Sequence, residues 1–226
     1  MKKLLSIAVL GSCLTATSAS FSAAVDFKGN FLHDNDVLRF DFSVGLPNTN
    51  VTLFSSSWID GGFDPILAIW DSAGNQIEEQ DDGGVAGSQQ SNSVFYNYGE
   101  FDSFLTINLA AGDYIATLTQ YDNFSISTLL ADGFLRDADP LFTAVFGCSN
   151  GSFCEGSLVD SNGDPVEPNR TSAWNLHFLN VAGARLNTVP EPSALLLFGL
   201  AGLALTGRRK YKTCMQRCYI PGSIQP

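Results

Sequence analysis

Positive charge is scarce in the stretch that would meet a partner. Between Asp26 and Glu191 the chain holds five basic residues (Lys28, Arg39, Arg136, Arg170, Arg185) against all 23 of its acidic ones, a formal charge of −18. A body so charged repels a polyphosphate, which excludes nucleic acid as a partner. Histidine is scarcer still, with only His33 and His177. A zinc site built on Cys148 and Cys154, the only cysteines of the same stretch, would need both histidines, and the spacing supports nothing of the kind. Helical periodicity is absent too. No segment between the two ends repeats apolar residues at three and four, which leaves strands as the building material.

The two ends read differently from the middle. Met1-Lys2-Lys3 is positive, Leu4 to Leu10 apolar and Ser22-Ala23-Ala24 small, the pattern of a secretory signal peptide over residues 1–24. Cleavage there starts the mature chain near Val25. The alternative is the lipoprotein-like box Leu10-Gly11-Ser12-Cys13, in which Gly11 is a poor second residue and Cys13 would be left acylated. At the far end, Ala194 to Leu205 has neither charge nor polar side chain, so a helix built from it is apolar all round. Pro190 and Pro192 keep the preceding backbone extended. Arg208, Arg209 and Lys210 form the positive flank of a single transmembrane helix whose C-terminus faces the cytoplasm. The run is shorter than the roughly 20 residues that span a bilayer comfortably, so a buried core helix is the competing reading; the charge cluster at its end favours the membrane.

Pro190-Glu191-Pro192, the apolar run and Arg208-Arg209-Lys210, in that order, resemble the sorting tail of the bacterial PEP-CTERM proteins, here over residues 188–210, with 211–226 left as a cytoplasmic tail. The resemblance implies export, anchoring in the inner membrane by the C-terminus, and cleavage by the sorting protease exosortase. It further implies delivery to the cell surface or to a polysaccharide matrix such as a biofilm.

Residues 25–187 are expected to form one all-β domain, an antiparallel, jelly-roll-like β-sandwich. Leu38, Phe40, Phe42 and Val44 alternate with Val37, Arg39, Asp41 and Ser43, a period of two with one apolar face. Val51 and Leu53 continue that pattern. Ile66–Trp70 is continuously apolar and suits a strand covered on both faces, and the turn Asp71-Ser72-Ala73-Gly74-Asn75 leads into Gln76–Gln80 as a hairpin. Leu105, Ile107 and Leu109 alternate up to Ala111-Gly112-Asp113, and Tyr114–Gln120 alternates after it, which predicts a second hairpin. Ala173–Val181 alternates again, with Trp174, Leu176 and Phe178 facing the core and His177 facing away.

Phe63-Asp64-Pro65, Asp81-Asp82-Gly83-Gly84, Ala111-Gly112-Asp113-Tyr114 and the late strand from Ser172 to Phe178 are similar to bacterial pre-peptidase C-terminal domains, and more closely to the DVUA0089 family of exported proteins. That likeness implies an accessory module that binds, spaces or supports secretion without being a catalyst. The residues themselves offer one candidate chemistry. Calcium takes about six to eight oxygens, and Asp64, Asp81, Asp82, Asp102 and Asp122 all stand near predicted strand ends, where loops could gather them. The competing reading is that they terminate turns. Asp160-Ser161-Asn162-Gly163-Asp164 mimics the start of an EF-hand loop, but Pro165 and Thr171 stand where that loop needs Gly and Glu.

Cys148 and Cys154 could close a short loop as a disulfide in an oxidising compartment. Gly147-Cys148-Ser149-Asn150-Gly151 matches the G-x-S-x-G elbow, with Asp160 or Asp164 and then His177 following in order. An elbow needs a helix directly after the serine, and Gly151, Gly156 and the possible bridge forbid a regular one. Three functions therefore compete: a structural surface or matrix protein without enzymatic activity, a calcium-dependent module for glycan or protein using exposed aromatics such as Tyr96, Tyr98 and Tyr121, and, remotely, a hydrolase built on Ser149.

Overall fold

The computed structural model describes residues 22–143, 153 and 170–187. All lie in the first of two compact units, which ends at Asn187. The signal-peptide h-region, Cys13, the Cys148–Cys154 pair, Ser149 and the sorting tail with Pro190, Glu191, Pro192, Arg208, Arg209 and Lys210 fall outside the described residues. Among the described residues no helix is long and apolar enough to cross a membrane.

Among the described residues eleven strands follow one another: β1 (Ala23–Asn30), β2 (Leu38–Val44), β3 (Thr49–Ser55), β4 (Pro65–Asp71), β5 (Gln76–Gln80), β6 (Gly87–Ser91), β7 (Val94–Tyr98), β8 (Phe104–Leu109), β9 (Gly112–Gln120), β10 (Ala173–Val181) and β11 (Gly183–Leu186). One sheet has the order β1-β10-β3-β8 and the other β11-β2-β9-β4-β5, every pairing antiparallel; among the described residues β6 and β7 pair only with each other. Without β11 and the β6–β7 hairpin, this is the interleaved order of a jelly roll, with two four-stranded sheets packed face to face.

The alternation explains which faces meet. Phe40, Phe42 and Val44 of β2, Leu67 and Ile69 of β4, and Ala116 and Leu118 of β9 point inward from one sheet. Val51 and Leu53 of β3, Leu105 and Leu109 of β8, and Trp174, Leu176 and Phe178 of β10 point inward from the other. Phe178 bridges the two, its ring centroid 5.7 Å from that of Phe40, 5.5 Å from Phe42 and 5.8 Å from Phe27. The unbroken apolar run of β4 is buried on both faces, as expected. Its outward residues Ala68 and Trp70 pack with Leu130 and Phe134 of the long segment after β9, and Trp70 Nε1 donates to Thr117 Oγ1 at 3.0 Å.

The second predicted hairpin is not one. β8 pairs with β3 and β9 pairs with β2 and β4, so the short connection from Leu109 to Gly112 carries the chain from one sheet to the other. Alternation states that a strand has one buried face; it does not state which neighbour accepts its hydrogen bonds. Leu105 and Leu109 thus meet Ala116 and Leu118 across the core instead of side by side.

The outward face of β10 is covered as well. The β6–β7 hairpin lies over it, and Tyr96 sits 4.0 Å from the ring centroid of His177 while Tyr98 packs on Phe104 at 4.7 Å and Phe54 at 6.0 Å. Tyr96 and Tyr98 are therefore packed inward and not presented for binding, a correction to the expectation of exposed aromatics. Tyr121 does remain exposed.

Because Phe178 is fully buried and touches both sheets, Phe178→Ala is expected to destabilise the fold by about 3–5 kcal/mol. Urea unfolding followed by tryptophan fluorescence measures it, and a loss below about 1 kcal/mol would mean that the two sheets do not meet at this residue.

Candidate metal centre

Antiparallel pairing decides which strand-end carboxylates can meet. β4 lies between β9 and β5, so the start of β4 is beside the ends of both; Pro65 stands opposite Gln120, and Leu67 opposite Gln80. The residues just outside these ends are Asp64, Asp81-Asp82 and Tyr121-Asp122. Asp64, Asp81 and Asp82 each offer a carboxylate oxygen within 4.8 Å of the others. The Tyr121 N–H donates to the Asp64 carbonyl at 2.9 Å, which ties the loop after β9 to the start of β4.

Ser103 fixes the geometry from the opposite sheet. Its hydroxyl is fully buried and lies 2.5 Å from the Pro65 carbonyl, 2.7 Å from that of Asp81 and 3.2 Å from that of Gln80. The adjacent Phe104 N–H donates to Gln80 Oε1 at 2.7 Å. One residue thereby pins the start of β4 and the end of β5 to β8. Gly83 completes the turn because a Cβ there would lie 2.7 Å from the Asp102 carbonyl, the acceptor of its own N–H at 2.9 Å. Gly83 stood in the sequence as part of the Asp81-Asp82-Gly83-Gly84 motif, whereas Ser103 carried no signal, since a lone serine before a strand is commonplace.

The electrostatics follow from the crowding. Asp81 is pushed up to about 6, first by burial and then by the charges of Asp82, Asp122 and Glu79. Its Oδ1 is buried and meets no hydrogen-bond donor among the described residues. Asp82 is also raised, by burial and by Glu100. The Tyr121 phenol is raised by burial and by the four carboxylates Asp122, Asp81, Asp64 and Asp82. Three carboxylates in this arrangement offer hard oxygen ligands to a divalent cation, with water able to complete the shell.

The two other aspartates stand differently. Asp122 is held by Arg136 in an ion pair, so its charge is partly met within the protein. Asp102 turns away from the cluster: its buried carboxylate accepts from Ser55 Oγ at 2.5 Å and from the N–H groups of Gly99 at 2.8 Å, Trp58 at 2.9 Å and Ile59 at 3.3 Å. It binds together the loops before β4 and before β8.

His177 occupies its own network. Nδ1 is 2.8 Å from Asp26 Oδ1 and Nε2 is 3.1 Å from Ser56 Oγ, while the ring stacks on Phe54 at 4.5 Å. The serine, histidine and aspartate stand in the order of a hydrolytic triad. Ser56 and His177 are nonetheless fully buried, and Asp26 also accepts from Ser91 Oγ at 2.5 Å and Asn92 Nδ2 at 2.7 Å. These contacts fasten the tip of the β6–β7 hairpin to β1. Burial lowers the His177 pKa against the opposing pull of Asp26. Burial alone would raise Asp26, but its hydrogen bonds from Ser91, His177 and Asn92 hold it below the usual value.

The Asp81 shift has a measurable sign. An acid whose pKa rises from 3.8 to about 6 on folding binds its proton more tightly in the folded state, so folding stability falls as pH rises through that window. In chelator, the melting temperature of the wild type should fall between about pH 4 and pH 7 by more than that of Asp81→Asn. Parallel curves from scanning calorimetry would show that Asp81 is not destabilised by its neighbours.

In a comparison with known families, residues 188–210 match the PEP-CTERM protein-sorting motif, a span that includes Pro190 to Lys210 of the tail. No curated protein matches the chain. The chain carries a PEP-CTERM sorting signal, which marks it as an exported protein anchored at the membrane before processing by exosortase, a membrane protease.

Proposed function

We propose that this chain is a non-enzymatic, exosortase-processed protein of the cell surface or extracellular polysaccharide matrix, whose jelly-roll body is steadied by calcium at Asp64, Asp81 and Asp82. The observation that carries the first part is the sorting signal at residues 188–210, which in sequence follows directly on the last residues of the sandwich. An accessory role is favoured by the resemblance in sequence alone of the motifs Phe63-Asp64-Pro65, Asp81-Asp82-Gly83-Gly84 and Ala111-Gly112-Asp113-Tyr114 to pre-peptidase C-terminal domains. The reading without catalysis is supported by His177, whose ring nitrogens are both engaged by Asp26 and Ser56. In that state neither ring nitrogen is left over to serve another hydroxyl as a base.

Processing is tested by comparing cells with and without their exosortase. Extracellular protein should end near the Pro190-Glu191-Pro192 segment, and replacing those three residues by Ala should leave full-length protein in the membrane. Mass spectrometry of extracellular protein that still contains Cys214 and Cys218 would contradict the proposal.

The reading as a calcium-dependent module is favoured by the approach of three carboxylates. Because a cation that binds only the folded state stabilises it by mass action, calcium should raise the melting temperature with the logarithm of its concentration. Magnesium should do much less, since it demands tight octahedral geometry and keeps its water. The combined Asp81→Ala and Asp82→Ala variant should lose the calcium response. An equal response to calcium, magnesium and matched sodium would reduce the cluster to turn residues.

A further inference from the structure

Among the described residues, the outer face of the β11-β2-β9-β4-β5 sheet is only half covered. Over β4 and β9 it is roofed by Leu130 and Phe134. Beside that roof an open trough of about 560 Å³ runs over β2, β9 and β11, lined among others by Asp41, Ser43, Ser72, Asp113, Gly183 and Arg185. Strand register explains the grouping, since Ser43 stands opposite both Gly183 and Asp113, and Asp41 opposite Arg185. Gly183 keeps the rim open, because a Cβ added there would meet no atom within 4 Å.

The lining is chemically asymmetric. Arg185 gives Nε and Nη2 to one oxygen of Asp41, at 3.1 and 2.8 Å, and Asn187 Nδ2 reaches the other oxygen at 3.4 Å. The guanidinium is thus held through Nε and Nη2 by one carboxylate oxygen, and Nη1 takes no part in that pair. Asp113 is exposed, and among the described residues no hydrogen bond or ion pair engages its carboxylate. The trough therefore offers one committed ion pair, one uncommitted anion and two serine hydroxyls. A polyanion is repelled by this set and by the −18 charge of the whole body. A chain bearing both hydroxyls and amines matches it, because an ammonium meets Asp113 while ring hydroxyls exchange hydrogen bonds with Ser43, Ser72 and Arg185. The volume lies within the roughly 300–1,000 Å³ of small-ligand sites, room for a short run of sugar rings.

We propose that this trough binds a segment of amino-sugar polysaccharide, with Asp113 as the ammonium acceptor. The proposal deepens the matrix reading above and rests on it. Its test is isothermal calorimetry on full-length protein purified from membranes, titrated with glucosamine oligomers, N-acetylglucosamine oligomers and glucose oligomers of equal length. The glucosamine oligomers should bind most tightly. Asp113→Asn should weaken them about tenfold, the usual effect of losing one charge-assisted hydrogen bond. Glu78→Gln removes an equal charge from the exposed edge strand β5 of the same sheet, outside the trough, and should change little. Gly183→Phe, filling open space at an edge strand, should abolish binding without unfolding the body. Equal affinity for the three oligomers, no binding of any, an equal effect of Glu78→Gln and Asp113→Asn, or full binding by Gly183→Phe overturns the proposal. Matrix localisation in cells is scored separately: protein found in the matrix while the oligomers fail to bind removes the trough from the account and leaves the matrix reading standing.

Discussion

The packing of Phe178 against Phe27, Phe40 and Phe42 is the contact on which the rest of this molecule depends. It joins β10 and β1 of one sheet to β2 of the other at the centre of the sandwich. Burial of such rings stabilises by roughly 1.5–3 kcal/mol each before any cavity effect, far more than an exposed ion pair such as Arg185 with Asp41 can supply. With the two sheets fixed in this way, β4 becomes a strand covered on both faces. Its neighbours on either side then have their ends held at one place.

That placement creates the electrostatic problem at Asp64, Asp81 and Asp82. The backbone register brings the three Cα positions together, because Ser103 and the Tyr121 N–H hold the loops that carry them. A raised pKa at Asp81 is one relief of the repulsion, and a divalent cation is another. On the proposed reading a bound cation would compete with the proton for the same oxygens, and its affinity would weaken below about pH 6.

Much of this architecture was legible in the residues. The alternation of Leu38 to Val44, the apolar run Ile66–Trp70 and the alternation of Ala173–Val181 each became a strand with the expected inward face. The pairing of Tyr114–Gln120 was not legible, because a strand's period carries no information about which sheet it joins. The β6–β7 hairpin was missed since Gly87–Ser91 is polar throughout and its job is to lie on a sheet, not in one. Its presence turned the outward face of β10 into a second buried layer, with His177 inside it. Strand-end aspartates were readable as a class, and three of them do converge. Asp102 has the same sequence position as the others but belongs to the opposite sheet, and backbone donors from two loops claim its carboxylate. Ser103 was invisible because its importance lies wholly in three carbonyls that only the fold brings within reach.

The sheet-imposed convergence of Asp64, Asp81 and Asp82 is tested most directly by a crystal structure of the protein grown with calcium replaced by a lanthanide. The account predicts a strong anomalous peak between these three carboxylates, with Asp102 still bound to the Gly99 and Trp58 amides and Asp122 still paired with Arg136. Lanthanide sites confined to other surface carboxylates, with Asp81 hydrogen-bonded within the protein, would contradict it.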